Sequence, residues 1–148
     1  MDWQKRHKVV PAVYLIIRKD GRLLMMRRYR TGYCDGMYSL PAGHLDGGES
    51  AVSALMREAK EEADLDVAPE DLHLVHTMHR LAQEADYERI DLYFEATKWH
   101  GQPKIMETDK CDDLQWFDLG HLPKNITPEV GHALKCLAAG EPYSDYGF

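Results

Sequence analysis

The side chains best suited to chemistry lie between Gly43 and Leu65, in the stretch GHLDGGESAVSALMREAKEEADL. If this stretch is helical, Glu58, Glu61 and Glu62 fall within roughly a third of the helical circumference, because a turn takes about 3.6 residues. Like charges at that spacing repel each other, by about a few tenths of a kcal/mol per exposed pair. The cluster therefore indicates a bound cation, and oxygen ligands favour Mg²⁺ or Mn²⁺.

A helix over residues 50–63 would position these carboxylates. Ser50 is a suitable N-cap, and the preceding Gly47 and Gly48 favour a tight turn. The expected apolar stripe follows helical spacing and consists of Val52, Leu55, Met56, Ala59 and Ala63. Because the acidic face lies beside this stripe, the carboxylates are expected at the edge of the protein body, where a cleft can form.

The rest of the chain predicts strands on both sides of this helix. Asp20 and Gly21 favour a two-residue hairpin between the first two strands, and Pro128 suits the first turn of a final helix. The predicted strands cover residues 9–19, 22–29, 38–40, 72–80, 89–99 and 114–119, and the final helix covers about residues 128–140. Alternation at Ile90, Leu92 and Phe94 predicts one buried face for the fifth strand. The order predicts an α/β fold with a mixed sheet and helices against it, in one domain over residues 1–148.

Composition excludes several functional classes. The chain has 148 residues, with 44% apolar and 29% charged residues, and its net charge of −7 argues against binding to duplex nucleic acid. Three widely spaced cysteines, without a C-x-x-C pair, indicate neither a disulfide framework nor a thiolate zinc site. We expect a reducing, cytoplasmic location and no membrane span, since no apolar run approaches ~20 residues. Nothing in the sequence indicates a homo-oligomer, although one is possible.

The acidic helix and its preceding loop resemble the signature of the Nudix hydrolases. That signature has Gly, five residues, Glu, seven residues, Arg-Glu, an apolar residue, any residue, Glu-Glu, any residue, Gly and an apolar residue. The matching positions are Gly43, Glu49, Arg57, Glu58, Ala59, Glu61, Glu62 and Leu65. Asp64 departs from the pattern, because the family usually has a helix-ending glycine there; Asp tolerates the left-handed conformation better than most residues.

Segments beyond the signature also resemble MutT-like members, although more loosely. Residues 40–43, Leu-Pro-Ala-Gly, lead into the signature, and residues 99–103, Trp-His-Gly-Gln-Pro, precede Glu107. Trp116 lies in a segment that is similar to their closing strand. The resemblance implies an α/β/α sandwich around a mixed sheet. It also implies hydrolysis of a diphosphate linked to another moiety, with the help of Mg²⁺ or Mn²⁺.

The resemblance assigns roles to the charged residues of the signature. It implies that Glu58, Glu61 and Glu62 are metal ligands, with Glu107 as a further candidate. Glu58 or Glu61 could be the general base, and the choice stays open. Gly43 and Glu49 would be structural, and Arg57 would orient the carboxylate of Glu61 or Glu49 instead of contacting substrate. An ordinary solvated acidic helix face is the alternative interpretation.

Candidate substrate contacts lie outside the signature. Arg27 and Arg28 could bind phosphate, because guanidinium matches phosphate geometry, and a solvated strand end is the alternative. Trp116 could stack on a base or belong to the core. Glu129 lies where some MutT-like relatives recognise a nucleobase edge.

The substrate class follows from the resemblance and from absent markers. ADP-ribose hydrolases typically carry a proline at the position that Arg80 occupies here. This elimination favours a nucleoside triphosphate, including noncanonical or oxidised forms, hydrolysed to monophosphate and pyrophosphate. The alternatives are a nucleotide sugar, dihydroneopterin triphosphate, or a noncatalytic nucleotide-sensing module. The module is disfavoured because no carboxylate of the signature is missing.

Overall fold

The computed structural model describes residues 1–82 and 87–148. Part of the polar loop expected between the fourth and fifth predicted strands therefore lies outside the described residues. The described chain forms nine strands and two α-helices, in the order β1 Val9–Ile16, β2 Arg18–Lys19, β3 Arg22–Arg28, β4 Tyr38–Ser39, β5 Ala42–His44, α1 Ala51–Ala63, β6 Leu72–Ala82, β7 Tyr87–Ala96, β8 Cys111–Asp118, α2 Pro128–Ala138 and β9 Tyr143–Tyr146. Two short 3₁₀ helices cover Trp3–Lys5 and Pro69–Asp71.

The strands form a mixed five-stranded sheet and a smaller four-stranded sheet. The larger sheet has the order β5-β1-β7-β6-β9, in which β1 with β7 and β6 with β9 are parallel pairs. The smaller sheet has the order β2-β3-β4, and β8 also pairs with β3. This arrangement confirms the predicted mixed sheet, because parallel and antiparallel pairs occur side by side.

Strand β1 shows how the layers are assembled. Residues 12–17 are all buried, because helices cover both faces of the strand. Val13 and Leu15 join the core cluster that contains α1, whereas Ala12, Tyr14 and Ile16 join the cluster that contains α2. The sheet therefore lies between two helical layers. Within the described residues, neither helix is long and apolar enough to cross a membrane.

The structure confirms the predicted turn and the start of the first helix. Asp20 and Gly21 have φ values of 52° and 73°, as the two-residue hairpin requires. Helix α1 begins after Ser50, whose hydroxyl accepts a hydrogen bond from the backbone N–H of Ser53 at 3.1 Å. The hydroxyl thus satisfies one of the free N–H groups of the first turn.

Three local expectations were wrong. The sequence did not predict β5 or β9, which are both short and gain their stability from pairing with β1 and β6. It also predicted a single buried face for β7, whereas Asp91 and Tyr93 are fully buried on the opposite face from Leu92. A central strand covered on both sides does not show the alternation of a half-exposed strand.

Helix α1 ends in the left-handed conformation at Asp64, with φ 55° and ψ 36°. We expect Asp64→Gly to raise the melting temperature by about 1–3 °C, because glycine adopts this conformation without a steric cost. The gain is limited by the loss of ion pairs from Asp64 to Lys60 at 2.9 Å and Lys104 at 3.7 Å. Asp64→Ala is the control, since it loses the same ion pairs and keeps the strain. Differential scanning calorimetry should place its melting temperature below that of the wild type; the reverse order of the two variants would contradict the explanation.

Candidate active site

Four carboxylates line one cavity of about 560 Å³, which we call the acidic cavity. Helix α1 supplies Glu58, Glu61 and Glu62, and the segment before β8 supplies Glu107. Basic side chains line it as well, and these are Arg28, Arg30 and Lys110. Carboxylates that could hold a cation and cations that could contact phosphate therefore share one space.

Strand β5 approaches α1 closely because residue 43 has no side chain. A Cβ atom at Gly43 would lie 2.2 Å from both Cδ and Oε1 of Glu58. The neighbouring backbone N–H of Ala42 donates a hydrogen bond to Oε2 of Glu62 at 3.0 Å. The position of two of the three helical carboxylates thus depends on a strand that the sequence did not predict.

Arg57 connects the helix to the loop before it. Its guanidinium donates to Glu49 at 2.8 Å, to Glu58 at 2.7 Å and to Glu61 at 3.3 Å. Glu49 also accepts a hydrogen bond from the backbone N–H of Asp46 at 2.8 Å. The hydrogen bond with Glu49, followed by that with Glu58, raises the pKa of Arg57 above its usual value. Arg57 therefore stays charged and holds the helix and the loop in one arrangement.

Two of the helical carboxylates lie in a poorly solvated environment. Burial raises the pKa of Glu62 to about 8, with the charges of Glu58 and Glu107 acting in the same sense. Burial also raises the pKa of Glu58, although Arg57 opposes that shift. Deprotonation of these groups is therefore unfavourable without a nearby positive charge.

The donor set fits a hard divalent cation. Glu58, Glu61, Glu62 and Glu107 offer only oxygen atoms, the ligands that Mg²⁺ and Mn²⁺ prefer. Across residues 1–82 and 87–148, the side chains do not form a ready-made cage of three or more His, Cys, Asp or Glu groups. Glu58 and Glu61 instead contact Arg57. Binding a cation would require the carboxylates that line the cavity to come closer together.

The raised pKa of Glu62 predicts how metal and pH change stability. Between pH 4.5, its ordinary value, and about 8, the folded chain holds a proton that the unfolded chain has released. In EDTA, the free energy of unfolding should therefore fall as pH rises through this window, and Mg²⁺ should restore it at pH 8. Thermal denaturation at pH 5.5, 7 and 8.5 measures the effect.

Glu62→Gln is the control for this measurement, because it cannot titrate. His44 acts in the opposite sense, since burial and then the charges of Arg89 and Arg80 lower its pKa. The informative quantity is therefore the difference between wild type and Glu62→Gln, in which the contribution of His44 cancels. Identical pH profiles for the two proteins would contradict the prediction.

A second cavity, of about 260 Å³, lies directly beside the acidic cavity. Arg28, Ser39 and residues 42–44 line both. Its floor is the face of the large sheet on which Ala12 pairs with His44 of β5 and with Asp91 of β7. Ala12 provides space here because its side chain is small.

A compact loop closes one side of the second cavity. The carboxylate of Asp35 accepts hydrogen bonds from the backbone N–H groups of Thr31 at 2.9 Å and Gly32 at 3.0 Å. The Tyr33 hydroxyl donates to Oε2 of Glu129 at 3.0 Å. Glu129, in the first turn of α2, is only 4% exposed and lines this cavity. The loop and α2 therefore hold each other in place across it.

The structure separates the four candidate substrate contacts. Arg28 lines both cavities and Glu129 lines the second one. Arg27 is the next residue to Arg28 on β3, so its side chain points to the other face, where it donates to Asp112 at 2.7 Å. Trp116 packs against the α1 core, with its ring centroid 6.2 Å from that of Trp99. Neither Arg27 nor Trp116 is among the described residues that line the two cavities.

Comparison with known proteins identifies the family. A family model described as the NUDIX domain matches residues 6–137. The chain belongs to the Nudix family. The Nudix match includes every residue that lines the two cavities and every strand except β9, and it confirms the resemblance carried by the acidic helix.

The relatives of this Nudix chain have names that state different substrates. It is 47% identical over 126 residues to the human protein named 8-oxo-dGDP phosphatase NUDT18, covering 84% of this chain and 35% of that protein. It is 27% identical over 130 residues to the NAD-capped RNA hydrolase NudC of Pseudomonas putida, covering 82% of this chain and 41% of that protein. The chain thus spans about two fifths of the length of the curated relatives it matches.

A solved structure supports the same Nudix fold. The crystal structure of a MutT NUDIX hydrolase from Burkholderia pseudomallei superposes with a TM-score of 0.79 at 26% identity, covering 87% of this chain and 98% of that chain. The predicted α/β/α sandwich around a mixed sheet is therefore confirmed. The NUDIX domain of Shewanella oneidensis NrtR complexed with ADP ribose, at 16% identity and a TM-score of 0.71, shares the fold.

Most of the side chains that line the second cavity of this Nudix fold were not predicted from the sequence. Tyr14, Tyr33, Arg80 and Arg89 line it, and none of them belongs to the signature. The sequence does contain one indication of this cavity, because Arg80 and Arg89 are charged residues within segments that were predicted as strands. Only the strand register shows that the two are direct partners on adjacent strands.

Proposed function

We propose that this Nudix chain is a metal-dependent pyrophosphohydrolase that cleaves the diphosphate linkage of a nucleoside diphosphate derivative. One observation carries the proposal: the acidic cavity and the second cavity share the wall formed by residues 42–44 and Arg28. A diphosphate held at the acidic cavity would therefore place its nucleoside in the second cavity. The small size of the second cavity suits one nucleoside better than a polymer.

The side chains of the acidic cavity divide into two groups in this proposal. Glu58, Glu61, Glu62 and Glu107 would hold Mg²⁺ or Mn²⁺, which when bound neutralises phosphate charge and lowers the pKa of water. Arg28, Arg30 and Lys110, which line the same cavity, would bind phosphate oxygens. Arg57 would keep Glu58 and Glu61 in position, and either of these two could accept the proton of the attacking water.

The preferred substrate is an oxidised or otherwise noncanonical guanine nucleotide, as a nucleoside triphosphate or diphosphate. The human relative named 8-oxo-dGDP phosphatase supports the guanine base. The carboxylate of Glu129 supports it too, since it lines the second cavity and can accept hydrogen bonds from N–H groups of a base. The three free cysteines are consistent with the reducing, cytoplasmic location that we propose.

Hydrolysis of a nucleotide panel with Mg²⁺ tests the proposal. The panel contains 8-oxo-dGTP, 8-oxo-dGDP, dGTP, dGDP, a nucleotide sugar, dihydroneopterin triphosphate and NAD. Products are quantified by chromatography, which distinguishes release of pyrophosphate from release of phosphate and also detects the two phosphomonoesters that a nucleotide sugar or NAD would give without any inorganic phosphate. We expect the guanine nucleotides to show the highest kcat/KM. Preference for the sugar, pterin or NAD substrate would overturn the guanine assignment, and tight binding without any turnover would indicate a sensing module.

A further inference from the structure

An ion pair lies where the large sheet should be apolar. Arg80 on β6 and Asp91 on β7 share the sheet face that carries Ala12 and Tyr14, and they are 3% and 0% exposed. Elsewhere this face packs apolar side chains against α2. A buried ion pair is often no more stable than apolar side chains of similar volume, so its presence here calls for a functional explanation.

The guanidinium of Arg80 is only partly satisfied. Its Nε donates to Oδ2 of Asp91 at 2.8 Å. Its Nη2 is buried and has no hydrogen-bond partner among the described residues, and Arg80 lines the second cavity. A buried donor without a partner is costly, and the cost is removed when a ligand supplies an acceptor. The hydrogen bond with Asp91 holds one side of the guanidinium in place.

The charges around Arg80 favour an uncharged acceptor over a second phosphate. Asp91 neutralises Arg80, and Glu129 places a further carboxylate on the same cavity. Arg89 adds one positive charge, and its Nη2 donates to the Tyr87 hydroxyl at 2.6 Å. These four charges sum to zero, and Arg28 adds a fifth, positive charge on the wall shared with the acidic cavity, where it would contact the phosphates of the same nucleotide. The surroundings of Arg80 itself therefore attract a second dianion weakly. A carbonyl oxygen or ring nitrogen satisfies the donor without adding charge.

We propose that Arg80 is a specificity-determining residue that recognises the carbonyl edge of a 6-oxopurine. Arginine donates well to the O6 acceptor of a 6-oxopurine, which remains an acceptor in 8-oxoguanine although N7 carries a proton there, whereas a 6-aminopurine would present an N–H group to the guanidinium. This inference rests on the proposed function, because it assumes that the base occupies the second cavity. It goes beyond that function because it names the 6-oxo group as the part of the base that is recognised, and Arg80, held by Asp91, as the residue that recognises it.

Equilibrium binding of GMP, IMP and AMP in EDTA tests the proposal without hydrolysis. All three carry the same phosphate, so the ratio of their dissociation constants isolates the base. We expect wild type to bind GMP and IMP about 10- to 100-fold more tightly than AMP. IMP lacks the 2-amino group, so a preference shared with GMP excludes that group and leaves the 6-oxo group and the adjacent N1–H, which the Arg80 variants below distinguish. AMP binding as tightly as IMP would overturn the proposal.

Two variants make the test specific. Arg80→Met with Asp91→Leu removes both charges together, so that no lone charge is left buried; we expect the three affinities to become equal within about threefold. Arg80→Lys keeps the ion pair but loses the planar guanidinium, and should also lose the preference. Arg27→Met is the matched control, since Arg27 faces away from the cavity, and it should keep the wild-type ratio. A double variant that melts cooperatively and still prefers IMP would contradict the proposal.

The outcomes separate this inference from the proposed function. If wild type hydrolyses nucleotides but does not distinguish 6-oxo from 6-amino purines, the proposed activity stands and the role of Arg80 is overturned. A preference for GMP and IMP in EDTA, together with no hydrolysis of any nucleotide with Mg²⁺ or Mn²⁺, would support Arg80 and overturn the activity.

Discussion

Glu62→Gln is expected to lower kcat/KM for the best nucleotide by about 10²- to 10⁴-fold while raising the metal-free melting temperature at pH 8. Activity falls because a neutral amide binds a divalent cation poorly, and such ligands are needed for catalysis. Stability rises because burial makes the ionised form of Glu62 unfavourable, as its pKa of about 8 shows. The amide oxygen can still accept the hydrogen bond from Ala42.

The informative result is a fall in activity together with a rise in the metal-free melting temperature. A variant that simply misfolds would lose both activity and stability. Glu70→Gln is the control, because Glu70 is an exposed carboxylate on a 3₁₀ helix, and it should leave both quantities unchanged. Activity within threefold of wild type for Glu62→Gln would remove Glu62 from the proposed site.

Gly43→Ala is expected to reduce kcat/KM by about 10- to 100-fold with only a small loss of stability. The added Cβ would lie 2.2 Å from the carboxylate of Glu58, so that side chain must move. The displaced atoms are the end of a flexible side chain, and moving them costs the fold little. A shift of a carboxylate that we propose as a metal ligand, in contrast, should be costly to activity. Steady-state kinetics and a Mg²⁺ titration measure the effect; the apparent Mg²⁺ affinity should fall in parallel.

Gly48→Ala supplies the converse control. Gly48 has φ 69° and no neighbouring atom within 4 Å of an added Cβ. Alanine there strains the backbone but displaces nothing, so the melting temperature should fall while the activity is retained. If Gly48→Ala lost more activity than Gly43→Ala, close approach to Glu58 would not be the reason for glycine at position 43.

Local signals in the sequence predicted the elements around the acidic helix. Ser50 and Asp64 act through the nearest turn of backbone, and Asp20 with Gly21 determine a hairpin by their own φ values. Such features depend on neighbours in the chain, so one sequence is sufficient to recognise them. The carboxylates of α1 share one cavity for the same reason, since helical periodicity places them together.

The second cavity could not be predicted because it depends on strand register. Ala12 on β1 is far along the chain from Arg80 on β6 and Asp91 on β7, and only the pairing of β1 with β7 and the register of β7 with β6 bring the three together. Strand β5 was missed because Pro41 and Gly43 favour a loop, although its backbone pairs with β1. Non-local pairing thus determined what local propensity could not.

The loop that carries Tyr33 has a consequence for selection by size. Its backbone is constrained by the hydrogen bonds of Asp35 and by left-handed residues at Arg30, Gly32 and Cys34. Because this wall is built before any ligand arrives, little conformational freedom is lost when a nucleoside enters. If a nucleoside occupies the second cavity as we propose, we expect this loop to adapt little to a larger base, so that bulky substrates are disfavoured by their shape.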